Sequence, residues 1–195
     1  MNLRNSLSAA LLVVGGLSAL APTASATAIT GGTTTVNFVP ATISALAGLG
    51  FSISPVAPAT LNLAGPSAAF PITGGDTNTL ITHSGGLAFT KSGTTASISN
   101  FTINLLSSRL TGALTAGGST TPNVTFFDVG PGNVLTLDAA LGAGLSSVFG
   151  IPSLTGTQIG TAVVAATLAP EPASGVTAGL AALAALAYAR KRNRA

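Results

Sequence analysis

The sequence predicts an all-β protein: a single β-sandwich or β-roll of about seven to nine strands, covered by one short helix. Three observations lead there. Apolar residues recur with period two in several threonine-rich runs. Gly- and Pro-containing breaks, such as Thr73-Gly74-Gly75-Asp76 and Gly130-Pro131-Gly132, punctuate those runs. Only 6% of residues are charged while 47% are hydrophobic, against about 25% charged in an average domain. Threonine and serine must therefore supply solubility as well as strand preference.

The elements follow in order. The run 33–38 (TTTVNF) is β-branched and reads as a strand. Segments 87–90 and 95–98 flank Lys91-Ser92-Gly93-Thr94, a hairpin loop in which glycine supplies an unusual φ. Phe101, Ile103 and Leu105 alternate, but Ile98 is out of phase with them. One extra residue near Ser99-Asn100 restores the phase, which predicts a β-bulge. Segments 110–115, 124–129, 134–137 and 161–168 read as further strands. Asp138 can cap a helix starting at Ala139. Its apolar stripe is Leu141, Leu145, Val148 and Phe149, and Gly150 with Pro152 ends it. The expected core is Phe38, Phe51, Phe89, Phe101, Ile103, Phe126 and Phe149.

The charge is unevenly placed. Seven Lys and Arg against four Asp and Glu give +3 and a pI near 10.2. Between residues 27 and 169, however, there are only Lys91 and Arg109 against Asp76, Asp128 and Asp138, a sum of −1. A nucleic-acid surface needs many cations to replace phosphate counterions, so no nucleic-acid partner is expected. Cysteine is absent and histidine occurs once, which excludes a disulfide scaffold and a thiol nucleophile.

Both ends read as routing segments. Arg4, the apolar stretch 9–20 (AALLVVGGLSAL) and Ala24-Ser25-Ala26 make a secretory signal peptide, residues 1–26. Ala24 and Ala26 are the small side chains of the signal peptidase site. At the other end, Pro170-Glu171-Pro172 leads into an uncharged run, 173–189, and then Arg190, Lys191, Arg192 and Arg194. That run of 17 residues is about 25 Å long as a helix, the short limit for a transmembrane span. The basic cluster stops transfer and stays cytoplasmic. The two prolines keep the strip around Glu171 extended and open to an enzyme.

This tail, residues 170–195, resembles the PEP-CTERM sorting signal. The resemblance implies recognition by an exosortase, a membrane-embedded transpeptidase-like enzyme that cuts at the Pro-Glu-Pro motif. It implies a Gram-negative host that makes exopolysaccharide, transient insertion in the inner membrane, and then the cell surface or the matrix of a biofilm or floc. The intervening domain, 27–169, is more weakly similar to HtaA-type extracellular domains. The matching segments are Thr82-His83-Ser84-Gly85-Gly86-Leu87, 96–103, Leu110-Thr111-Gly112 and Leu135-Thr136-Leu137. Some members of that group bind haem through a tyrosine and a histidine. Here His83 alone corresponds, because the sole tyrosine, Tyr188, lies in the tail.

No side-chain constellation for catalysis stands out. There is no G-x-S-x-G elbow, phosphate loop or dinucleotide fingerprint. Asp76 in Gly-Gly-Asp-Thr-Asn-Thr is a lone carboxylate where calcium wants several, so it reads as a turn residue. The expectation is an exported, exosortase-sorted, non-enzymatic surface or matrix protein with no cofactor and no metal. It would act by self-association as a homo-oligomer or by contact with exopolysaccharide. The alternative is an extracellular module for a small ligand of the haem type, with His83 as the candidate binding residue.

Overall fold

The computed structural model describes residues 26–170. The expected signal peptide and sorting tail lie outside the described residues except Ala26 and Pro170, both exposed. Among the described residues no helix is long and apolar enough to cross a membrane.

The chain forms eleven strands: β1 (Ile29–Phe38), β2 (Ser52–Val56), β3 (Thr60–Asn62), β4 (Ser67–Gly75), β5 (Leu80–His83), β6 (Gly86–Lys91), β7 (Thr94–Asn104), β8 (Arg109–Ala116), β9 (Ser119–Gly130), β10 (Val134–Leu137) and β11 (Gln158–Leu168). Two helices join them, α1 (Pro40–Gly48) and α2 (Ala139–Phe149). All strands belong to one sheet, and eight of them close a ring in the order β7-β5-β4-β1-β11-β10-β9-β8, with β8 pairing back onto β7. The architecture is therefore a closed barrel, not the expected sandwich or roll. A sandwich needs two sheets with free edges. Here the β1–β11 and β7–β8 ladders leave no break in the ring.

The short-range expectations hold. Ser92 and Gly93 have φ of 50° and 80° and form the two-residue hairpin turn between β6 and β7. Along β7 the register slips between Ser99 and Thr102, and Asn100 has a φ of 49°. This bulge puts Ala96 and Ile98, then Phe101 and Ile103, on the same interior face. The Asp138 carboxylate accepts from the Ala140 N–H at 2.7 Å, and Gly150 closes α2 in the left-handed region.

Other expectations need correction. Two helices form where one was expected. Sequence reading found no strand between residues 52 and 83, where β2 to β5 lie. Of the expected core, Phe101, Ile103 and Phe126 are buried, whereas Phe38, Phe51, Phe89 and Phe149 are half-buried.

The ring is not uniform along its length. β5 pairs with the Ile72–Gly75 half of β4 and the 102–104 end of β7. At the opposite pole the same two edges carry β3 and β6 instead, and β2 pairs with β6 and lies against β3. Three short strands thus replace one, and the circumference grows from eight strands to ten. Pro71 stands at this change of partner. Its carbonyl accepts from the Ser84 N–H at 3.1 Å, so its nitrogen faces the same gap, where no ladder needs a donor. Barrel width grows with strand number, and eight strands leave just enough room for side chains to fill the interior. The eight-strand pole is packed solid by Ile29, Ile72, Ile81 and Ile103, while the ten-strand pole is wider than its side chains can fill. Among the described residues the eight-strand ring closes between Ile29 and Leu168, and its buried core lies within the same span.

Candidate functional site

The wide pole holds an apolar cavity of about 330 Å³. Its floor is Phe70 edge-on to Phe101, with ring centroids 4.8 Å apart. Its walls include Phe38, Phe89, Leu135 and Ile98. Helix α2 covers one side through Leu141 and Leu145, and α1 covers another through Ile43 and Leu46. Phe51 stands at the rim and meets Phe149 of α2 edge-on at 4.9 Å. Seven of the eight phenylalanines line this space, all but Phe149. Phe38, Phe51 and Phe89, expected as core, are half-buried and form part of the cavity wall.

The electrostatics of the cavity are simple. No charged side chain lines it, and Thr42 and Thr157 are its only polar side chains. The Thr42 hydroxyl already donates to the Gln158 carbonyl at 3.0 Å. Lys91, on the hairpin at the same pole, holds its Nζ 5.4 Å from the centroid of the Phe51 ring. Among the described residues it has no acidic partner; the one ion pair, Arg109 with Asp128, is at the other pole. A space of this kind can take up apolar matter. Its lining holds no carboxylate, imidazole, amine or thiol.

Helix α1 is unusual beside it. Its sequence is PATISALAG, and none of its residues is buried. No side chain caps it, and Pro40 at its first turn is its clearest starting signal. Short helices depend on burying an apolar face. Here the face that carries Ile43 and Leu46 looks into the cavity.

His83 lies elsewhere. It is 4% exposed, stacked on Phe101 at 4.5 Å, and does not line the cavity. Its Nδ1 faces the Phe101 carbonyl at 3.3 Å, which can only accept, so the proton sits on Nδ1. Nε2 then accepts from the Thr34 hydroxyl at 2.7 Å. Thr34 is also buried. Burial pushes the His83 pKa down to about 4, so the ring is neutral at ordinary pH. Both nitrogens are engaged, and neither is open to a haem iron. Asp76 forms its own turn. It accepts from the Asn78 and Thr79 N–H groups at 2.8 and 2.7 Å and from the Thr79 hydroxyl. The Thr79 hydroxyl foremost, then the Asn78 N–H, holds its carboxyl below the usual range.

The two ends of the barrel chain meet at the narrow pole. β1 and β11 pair from Ile29 opposite Leu168, and the Ala169 N–H donates to the Ala28 carbonyl at 2.8 Å. Ala26 and Pro170 therefore emerge side by side, at the pole away from the cavity. Sequence reading singled out the terminal segments, which lie outside the described residues apart from Ala26 and Pro170, and His83, and missed the cavity, α1 and the position of Lys91. The recurrence of phenylalanine through a nearly uncharged domain was the available signal.

No protein-family model matches the chain, and no curated protein is similar to it in sequence.

Proposed function

We propose that this chain is an exported, exosortase-sorted, non-enzymatic protein of the cell surface or extracellular matrix, contributing to a biofilm or floc. The observation that carries this reading is the meeting of Ala26 and Pro170 at one pole of a closed barrel. Signal peptidase acting after Ala26 and exosortase acting at Pro170, Glu171 and Pro172 would each cut beside the same pole and break no ladder. A membrane tether there leaves the rest of the barrel facing outward.

The wall offers features for both modes of action, strand pairing with a second copy and contact with exopolysaccharide. Closure removes many strand edges, and those left with one side unpaired belong to β2, which contains Pro55, to the three-residue β3, and to the stretches Ser119–Phe126 of β9 and Ala162–Leu168 of β11 that the short β10 does not reach. The outer surface also carries cross-strand hydroxyl pairs, Thr90 with Thr95 and Thr115 with Thr120, each at 2.8 Å. Such uncharged hydroxyls suit neutral sugar.

Mass spectrometry of the termini in the native host tests the sorting half. The surface or released form is expected to begin at Thr27 and end near Pro170. Replacing Pro170, Glu171 and Pro172 together by alanine should leave the Arg190–Lys191–Arg192 tail attached and the protein in the membrane fraction. Intact chain in the cytosol would overturn the reading. Deleting the gene should weaken floc formation, with rescue by the wild type and not by the triple variant.

The cavity favours a second reading, an extracellular module for a small ligand. The haem-type version of that idea loses its support with the engagement of both His83 nitrogens.

A further inference from the structure

We propose that the wide pole of the barrel is a binding site for a single-chain amphiphile with an anionic head, its chain among the phenylalanines and its head beside Lys91. This rests on the small-ligand reading of the cavity and adds the chemical class of the ligand.

Four observations converge. The lining is apolar except for Thr42 and Thr157, and the Thr42 hydroxyl is already committed to Gln158, so the interior suits hydrocarbon. At about 330 Å³ the cavity is roughly twice the ~150 Å³ apolar cavity that holds one benzene ring, room for about a dozen carbon atoms. Next, α1 stands over the space with no buried residue. A chain beneath it would contact Ile43 and Leu46 and give the helix the apolar partner that helices of this length need. Finally, the charge is placed at the rim. Of the two cations among the described residues, Arg109 is paired with Asp128 at the far pole, while Lys91 sits over Phe51 at the mouth with no carboxylate to meet it. An ammonium at the rim and hydrocarbon inside is the arrangement that fits a carboxylate or similar head on an alkyl chain. The ammonium stays partly hydrated there, so its contribution is to selectivity and is modest in size.

The fragment 27–169, which spans the closed ring and its core, is used for the test. The neutral fluorophore N-phenyl-1-naphthylamine should brighten on binding, and dodecanoate and dodecanol should each displace it. Dodecanoate should do so several-fold more tightly than dodecanol, and the Lys91→Gln variant should erase that difference while leaving dodecanol unchanged. Lys91 is on a surface hairpin, so this variant keeps the fold. Leu106→Ser, which alters an exposed leucine at the narrow pole (78% exposed), should change nothing. Equal displacement by acid and alcohol, or an equal loss of both in Lys91→Gln, would overturn the anionic head and leave the cavity reading standing. No brightening and no displacement, or loss of both with Leu106→Ser, would overturn the cavity reading itself.

Discussion

The two ends of the barrel both have apolar interiors and differ in strand count. Around the narrow pole eight strands enclose buried isoleucines, with His83 stacked on the far side of the Phe101 ring that helps floor the cavity. Around the wide pole ten strands enclose phenylalanines and leucines, and the interior is a cavity. Composition does not decide which end is hollow. The decision lies in where β4 and β7 change partners, at Pro71 and at the bulge near Asn100. The narrow pole carries stability and holds both chain ends. The wide pole is free to spend apolar surface on something other than its own core.

Truncation should separate the two ends most sharply. Ile103 is 6% exposed in the filled half, and Ile103→Ala should cost ~2–5 kcal/mol through lost transfer energy and a new void. Leu46 is half-buried and faces a cavity that already exists. Leu46→Ala should cost about 1 kcal/mol or less, since only part of its surface is withdrawn from water. Urea denaturation of both variants measures the contrast. Equal costs would mean that the wide pole is as tightly packed as the narrow one.

The His83 stack gives the narrow pole a pH signature. The ordinary histidine pKa near 6.5 is lowered to about 4 in the fold by burial. Between those values the unfolded chain binds a proton that the folded chain refuses. The contribution is complete above pH 6.5, falls as pH drops toward 4, and amounts to about 3 kcal/mol across that window. Hydrogen bonds hold the Asp76 carboxyl below the usual carboxylate range, so it does not share this window with His83. His83→Gln should be less stable at pH 7 and should flatten the profile between pH 6.5 and 4. A wild-type profile flat over that range would show that the ring is not desolvated.

The joint between the halves should be sensitive too. Gly112 of β8 lies opposite the bulge, and a Cβ there would meet the Phe126 ring at 2.6 Å and the Ser99 carbonyl at 2.8 Å. Gly112→Ala should cost ~1–3 kcal/mol by forcing ring or strand aside, and it should disturb probe binding in the cavity as well as stability. Loss of stability alone would place the joint wholly in the narrow half.

What the sequence discloses follows the range of the interaction. The hairpin at Ser92-Gly93, the bulge at Asn100 and the Asp138–Gly150 helix were legible because each depends on residues within a few positions of one another. Barrel closure was not, because it depends on pairings such as Ile29 with Leu168. β2 and β4 were obscured by Pro55 and Pro71, residues that ordinarily argue against strands and are tolerated here at an open edge and at a change of partner. The cavity was hidden by a correct premise wrongly spent. Phe38, Phe51 and Phe89 do face inward, and inward was taken to mean filled.

The smallest effect belongs to the cap of α2, and it tests whether that helix is a fixed wall of the cavity. The Asp138 side chain accepts from Ala140 at the start of a helix whose Leu141 and Leu145 are buried. Asp138→Ala should cost ~1 kcal/mol, the usual loss for a capping oxygen. Because those leucines anchor α2 from within the core, the loss should appear as a lower denaturation midpoint with unchanged affinity for the naphthylamine probe. The helix opposite lacks both devices: α1 has no side-chain cap and no buried residue. Replacing Val39 by serine or aspartate, the preferred residues at that position, should stabilise α1 by a few tenths of a kcal/mol to ~1 kcal/mol. If α1 is the wall that the ligand orders, the Val39→Asp barrel should bind the probe more tightly while Asp138→Ala binds it as before. The reverse pattern would make α2 the adjustable side of the site.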